Sequence, residues 1–329
     1  MPQSPFGGPQ PLGVIYNTSM SRPDAALALA ELYGFQGKRE SRMGSVCVVG
    51  AGLRTAMFCD IVKTFFQPGP PRNANQSLPI GLADVQPLPP DSPMVLGPLA
   101  RQKGDGSPEY GTTIHKVTDT SVAEAVLRNG VIFNAEAAVI LSAPATYLAK
   151  SLDLLGVKDI YRERVKRLVI VDAGSPHEDV PALRRILAEW PAPVFYCGKE
   201  VGDALPFPGA CVEKDFAWSE AHPIVDAYRA FQPMPYDAPS YDLAAAHFAV
   251  HPDSGFFQLS DAGTLAVADN GRLKFTPGGG AVRSLSVDAS KKAEIIQAFV
   301  ALTSAKPVQP QRFQRPAGDQ KKADTAPKK

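Results

Sequence analysis

Within eight residues near its start the chain gathers an amide, three hydroxyls and a carboxylate: Asn17-Thr18-Ser19-Met20-Ser21-Arg22-Pro23-Asp24. Polar groups at this density can bind a small polar ligand if the fold points them at one place. Leu12 to Tyr16 before them reads as a short buried strand, apolar and bounded by Pro and Gly. Ala25 to Tyr33 after them reads as a helix rich in Ala and Leu, stopped by Gly34. The cluster then lies at the carboxyl end of the first strand, where open α/β folds build ligand sites. Asn17 projects from the strand tip. Asp24 falls in the first helical turn, after Pro23 at a favoured N-terminal position. A capped strand-to-helix turn accounts for any one of these residues, but less well for their clustering.

The elements that must position this turn follow in order. Ser45 to Val49 reads as a second strand and leads through Gly50-Ala51-Gly52-Leu53-Arg54-Thr55 into a helix ending near Phe66. That turn looks like a dinucleotide fingerprint. Its third glycine is replaced by Thr55, and no acidic residue follows at the distance where a ribose would need one, so neither NAD nor FAD is expected there. Pro68 to Pro108 is rich in Pro and Gly and reads as a long loop of the kind that forms lids. Thr120 to Gly130 reads as a helix capped by Ser121. Ala137 to Leu141 is a strand leading to a helix begun by Pro144 and Thr146. Arg167 to Gly174 and Pro193 to Cys197 are further strands, with a helix over Val180–Trp190 between them. Phe256 to Ala268 and Leu273 to Phe275 are short strands joined through Asp269-Asn270-Gly271, a hairpin signal. Lys292 to Thr303 is a closing helix.

Several of these segments carry a resemblance to one family, the inosine-uridine-preferring nucleoside hydrolases. Family members open with a strand and then Asp-Thr-Asp-Pro-Gly-Ile-Asp-Asp-Ala-Leu-Ala, and Asn17 to Leu27 aligns with that motif without a gap. Ser142 to Ala149 resembles Gly-Pro-Leu-Thr-Asn-Leu-Ala. Gly198-Lys199-Glu200-Val201-Gly202 resembles Gly-x-Glu-x-Gly, and His222 to Tyr228 resembles His-Pro-x-x-x-Ala-Tyr. Ser240-Tyr241-Asp242-Leu243-Ala244 resembles Ser-Trp-Asp-Pro-x-Ala, with Tyr241 where some members place a base-protonating His. The resemblance runs from about Leu12 to about Thr303. It implies a single α/β domain over residues 12–306, with a mostly parallel sheet, helices on both faces and a β-rich C-terminal extension. Residues 1–11 then form a flexible arm and 307–329 a disordered basic tail.

The same resemblance implies N-glycosidic hydrolysis of ribonucleosides with calcium held by oxygen ligands. Asn17, Asp24, Asp242 and the Thr146 carbonyl fall at the ligand positions. The cage carries about two formal negative charges against about three in the family, so calcium is expected to bind more weakly. The family's base becomes Pro23, which cannot take a proton, and loss of a general base costs about two to four orders of magnitude in rate. The Glu-Phe-Asn segment that holds the ribose is missing; Gly174 runs instead through Ser175-Pro176-His177-Glu178-Asp179. Asp24 or Asp105 is left as a substitute base. Asp105, in Gly104-Asp105-Gly106, is also a candidate for ligand contact, although an Asx turn explains it as well. Two functions stay open: a slow hydrolase, or a non-catalytic descendant that binds a small ligand, such as a nucleoside or ribosyl compound, or a partner.

Composition bounds the rest. A chain of 329 residues with 44% hydrophobic and 20% charged residues is ordinary for a globular protein with a large core. A net charge of +1 gives no sign of nucleic-acid binding. No apolar run is long enough to span a bilayer and no signal peptide is visible, so the cytoplasm is the expected compartment. Cys47, Cys59, Cys197 and Cys211 lack CxxC spacing and read as buried thiols. Association into a homo-oligomer is compatible with all of this.

Overall fold

Strand β1 (Leu12–Thr18) lies inside the sheet, paired in parallel with β2 (Ser41–Val48) on one side and β5 (Ala137–Ser142) on the other. The computed structural model describes residues 10–68, 79–83 and 89–307. Most of the amino-terminal arm, the Gly69-Pro70-Pro71 run, Pro87 and the basic tail expected from the sequence lie outside them.

Side chains alternate across a pleated strand, so β1 serves two cores. Val14 and Tyr16 pack into one layer and Ile15 into the other. The first layer holds α1 (Pro23–Gly37), α2 (Leu53–Phe66), α3 (Pro93–Ala100), α10 (Pro223–Phe231), α11 (Tyr241–Val250) and α12 (Lys292–Thr303). The second holds α4 (Ala123–Ile132), α5 (Thr146–Ser151), α6 (Val157–Arg164) and α7 (Val180–Glu189). Helices therefore cover both faces, as a parallel sheet requires. The short helices α8 (Lys199–Ala204) and α9 (Gly209–Lys214) add Val201 and Val212 to the first layer.

The remaining strands are β3 (Ile80–Leu82), β4 (Ser121–Val122), β6 (Val165–Val171), β7 (Val194–Cys197), β8 (Phe257–Leu259) and β11 (Arg283–Val287), giving the order β4-β3-β2-β1-β5-β6-β7-β11-β8. All neighbours are parallel except the antiparallel β11–β8 pair at one edge. The chain builds outward from β1 through β2 on one side and from β5 through β6 on the other. Strand order thus reverses between β1 and β5, the switch point at whose carboxyl ends open α/β sheets place their ligands.

Helices α1 and α11 are buried nearly all round, a pattern that belongs to the inside of a large core. Such helices have few polar groups to fix their register. The buried Glu31–His247 contact, 2.9 Å between carboxylate and ring, joins them at mid-length. Gly34 does not stop α1, which runs on to Gly37. A Cβ at Gly34 would lie 2.3 Å from the Leu302 carbonyl, so this glycine lets α12 cross α1 at backbone contact. Gly130 likewise sits inside α4, where a Cβ would meet Ser45 Oγ at 2.6 Å. Ser121, expected as a helix cap, is a strand residue of β4.

The Pro- and Gly-rich stretch from 68 to 108 contains β3 and α3 within its described parts. The β-rich extension is only partly separate. Its β8, and β11 which the sequence did not suggest, continue the main sheet, while β9 (Gly263–Val267) and β10 (Leu273–Pro277) form a hairpin that packs Leu265 and Val267 into the second layer. Gly271 closes the turn at φ 77°, as the Asp-Asn-Gly sequence anticipates. Cys47, Cys59 and Cys197 are buried free thiols, and Cys211 is half-buried. No helix among the described residues is long and apolar enough to cross a membrane.

Candidate active site

The turn after β1 is held by its own side chains. The Thr18 hydroxyl accepts the Met20 N–H at 3.0 Å, and Met20, fully buried, takes a left-handed φ of 48°. Left-handed backbone at a residue other than Gly costs about 1–2 kcal/mol. It turns the chain so that Arg22, extended at φ −130°, becomes the N-cap of α1, with Pro23 in the first turn.

Asp24 and Asp242 meet across the amino ends of α1 and α11. Asp242 donates its backbone N–H to Asp24 Oδ2 at 2.7 Å, so a carboxylate of one buried helix satisfies an orphan donor of the other. The positive ends of both helices favour anions here. The guanidinium of Arg22 lies between the two acids: Nε donates to Asp24 Oδ1 at 3.2 Å and Nη2 to Asp242 Oδ1 at 2.6 Å. Nη2 also donates to Ser142 Oγ at 3.2 Å, and Ser142 donates in turn to Asp242 Oδ1 at 2.6 Å. The Tyr16 hydroxyl donates to Asp242 Oδ2. Both carboxylates are buried, whereas the Arg22 side chain keeps 29% exposure and stands 5.6 Å from the Tyr241 ring centre.

Two carboxylates share one cation in a dry setting, and the proton affinity of Asp24 shows it. Burial, then the Arg22 charge opposing it, then the neighbouring Asp242 charge act on Asp24, with a net upward shift from the ordinary Asp range. Burial pulls Arg22 down, but Asp24 and Asp242 more than offset it and hold the guanidinium above its usual value. Burial and the Asp242 charge raise the Tyr16 phenol, so it stays a donor.

The structure brings Asp24 and Asp242 together and gives the Asn17 and Thr146 side chains other hydrogen-bond partners. Asn17 is still within β1, one residue after Tyr16, and so leaves the sheet on the opposite face; its Nδ2 donates to the Ile140 carbonyl at 3.0 Å. Thr146 begins α5 in the second layer and donates its hydroxyl to Asp179 Oδ2 at 3.1 Å. Asp105 is in an exposed Asx turn, accepting Ser107 N–H at 2.9 Å and Ser107 Oγ–H at 2.6 Å. The Ser107 hydroxyl holds its carboxyl below the usual range.

Calcium needs six to eight oxygen ligands. Here all four oxygens of Asp24 and Asp242 already accept hydrogen bonds, and a guanidinium fills the space between them. Among the described residues no group of three or more His, Cys, Asp or Glu side chains is arranged to hold a metal. The residues present therefore do not fit a resident calcium ion. Pro23 stands in the first turn of α1 and offers no proton acceptor. The hairpin holds the segment from Gly174 to Asp179: His177 donates its backbone N–H to the Gly271 carbonyl at 2.9 Å, and Arg272 donates to the Gly174 carbonyl at 3.2 Å. The Gly50–Thr55 turn joins β2 to α2, with Gly50 at φ 69° against Pro144.

Arg22, Tyr16 and Ser142 were not among the residues singled out by sequence. Arg22 had one available signal: it is the only cation in the polar turn that also contributes Asp24.

No family model matches the sequence, and no curated protein matches it. Solved structures do match in fold. An inosine-uridine preferring nucleoside hydrolase from Bacillus anthracis superposes with a TM-score of 0.62 at 15% identity, covering 88% of this chain and 99% of that one. A plant nucleoside hydrolase, PpNRh1, gives 0.64 at 16% identity, covering 90% and 99%. The type III effector protein XopQ, solved in complex with adenosine diphosphate ribose, gives 0.59 at 13% identity, covering 91% and 95%. The α/β architecture is that of the nucleoside hydrolases.

Proposed function

We propose that this chain keeps the nucleoside-hydrolase fold as a small-ligand-binding protein in which hydrolysis of ribonucleoside N-glycosidic bonds is lost or severely impaired. The observation that carries this reading is the Arg22 guanidinium held by both Asp24 and Asp242. Hydrolysis needs a water to be activated and a group to take its proton. The two acids that could serve are buried, fully hydrogen-bonded and tied to Arg22. Arginine is a donor without an acceptor and cannot be the base. The group that replaces the family's base, Pro23, has no proton chemistry. The ribose-holding segment is absent, and positioning is a large part of enzymatic rate.

What the site still offers is recognition. Arg22 keeps part of its surface toward solvent beside the Tyr241 ring, whose hydroxyl donates to Asp203 at 2.6 Å. A fixed cation beside an aromatic face suits a ligand with an anionic or hydroxyl-rich sugar portion. A ribosyl compound is the natural probe, because XopQ, of the same fold, was solved with adenosine diphosphate ribose.

The test pairs turnover with binding. Release of free ribose from inosine and uridine is measured with excess calcium, and binding of inosine, ribose and adenosine diphosphate ribose is measured by calorimetry. Saturable binding of one of these without turnover supports the proposal. Turnover in the usual enzymatic range of roughly 1 to 1000 per second overturns it, and so does failure to bind any of the three.

A further inference from the structure

We infer that Arg22 is the resident cation of the Asp24–Asp242 pair: the guanidinium does the electrostatic work of a divalent ion, makes the wild-type protein indifferent to calcium, and conceals a divalent-cation site that its removal would expose. The inference shares residues with the proposed function but stands on the contacts alone.

Buried carboxylates are kept ionised only by compensating charge and donors. Asp24 and Asp242 are both buried and lie in contact, the backbone N–H of one on the carboxylate of the other. Arg22 alone forms ion pairs with either of them among the described residues. Its fork geometry lets one planar group reach both acids and Ser142 at once. Its placement is fixed by the chain itself: Pro23 follows directly, the left-handed turn at Met20 precedes it, and the Tyr241 ring lies beside it. The arrangement is thus built for this cation.

Shortening Arg22 to Ala would leave two buried carboxylates, the Ser142 hydroxyl and the Tyr16 phenol around a vacated space. These are hard oxygen donors, which suit calcium. Few anionic ligands and an unoptimised cage set the expected dissociation constant on the order of 10⁻⁴ to 10⁻³ M.

The experiment uses the full chain and three proteins. Wild type is assayed for bound divalent metal by mass spectrometry, and its melting temperature is read in chelator and in millimolar calcium. The expected result is substoichiometric metal and no shift. Arg22→Ala is expected to melt roughly 5–15 °C lower in chelator and to recover most of that loss in calcium. Arg22→Ala/Asp24→Asn, with one acid neutralised, is expected to lose the calcium response. Stoichiometric metal in wild type, a calcium-dependent rise in its melting temperature, or an Arg22→Ala protein indifferent to calcium each overturns the inference. If Arg22→Ala is unfolded in chelator, recovery of its native circular dichroism on adding calcium supports the inference and no recovery overturns it. None of these readouts is catalytic. A protein that released ribose yet ignored calcium would refute the proposed function and leave this inference standing.

Discussion

Acidification should destabilise this protein through one buried imidazole, His222. The ring caps α10: its Nδ1 accepts the Ile224 N–H at 3.3 Å. Phe65, Phe216 and Trp218 surround it with ring centres 4.5, 5.0 and 5.1 Å away, and Phe66 stands at 6.0 Å. Protonation would put a charge into an aromatic box and set an N–H against the Ile224 donor. Burial accordingly pushes its pKa from 6.5 to about 3. The folded state then holds no proton on this ring where the unfolded chain takes one, so the contribution to stability is full above 6.5 and is lost as pH falls below it. At pH 5 the ring lies about 1.5 pH units below its unfolded midpoint, which amounts to about 2 kcal/mol and a fall of roughly 3–6 °C in melting temperature. Other groups titrate in the same window, so the difference between wild type and His222→Phe isolates the ring. Phenylalanine keeps the aromatic packing and loses the cap, a constant penalty of about 1 kcal/mol at every pH. Thermal unfolding of both proteins between pH 7.5 and 5 is the assay. Wild type should lead the variant by about 1 kcal/mol at pH 7 and trail it by about 1 kcal/mol at pH 5, a swing of about 2 kcal/mol, and a difference that stays constant would show that the native ring takes up its proton freely.

Four further outcomes follow from the same contacts. Gly34→Ala gains about 1 kcal/mol of helix propensity but drives a methyl into the Leu302 carbonyl, so urea unfolding should show a net loss of about 1–3 kcal/mol. Tyr16→Phe removes a donor from Asp242 Oδ2 and should lower stability by about 1–3 kcal/mol, read by the same titration, with the far-ultraviolet spectrum unchanged. Because the Asp24 carboxyl is raised in the folded state, its contribution is full below the unfolded pKa and is lost as pH rises through the folded one; the pH–stability curve of Asp24→Asn should lack that decline between mild acid and neutrality. Pro23→Asp should release ribose from inosine no faster than wild type, since the restored acid would have neither an activated water nor a ribose clamp to work with.

The parts of the fold that were legible are those whose signals are local. The closing helix begins and ends where its apolar spacing and flanking residues place it, at Lys292 and Thr303, and α2 runs from Leu53 to Phe66 as its glycine turn implies. Glycines misled where their purpose was tertiary. Gly34 and Gly130 read as helix stops, yet each sits inside a helix because a neighbouring backbone or strand side chain presses against it. β11 has little of its own to announce it; its five residues become a strand because β7 and β8 offer edges. Convergence of Asp24 and Asp242, 218 residues apart, was visible only through the ordered motifs. Asn17 shows the opposite error. Closeness along the chain suggested that it shares a point with Asp24, but the pleat of β1 sends Tyr16 toward α11 and Asn17 away from it.

A guanidinium and a divalent ion answer the same electrostatic demand with different chemistry, and that difference explains how a site can keep its architecture while changing what it does. Either cation can hold two buried carboxylates at the ends of two apolar helices. A metal ion does so through a field that also acidifies any water bound to it. Arginine does so through fixed donors, retains its own proton, and occupies the volume that an activated water would need. Arg22 therefore satisfies what the fold requires at the carboxyl ends of β1 and β5, where Asp24, Asp242, Ser142 and Tyr16 would otherwise leave charge and donors unmatched. With Arg22 in place, nothing in the structure calls for a proton acceptor at the next position. Pro23, which starts α1 cleanly, can stand there at no cost to the fold. The two neighbouring residues are consistent in effect: Arg22 supplies charge without proton chemistry, and Pro23 supplies a helix start without a proton acceptor.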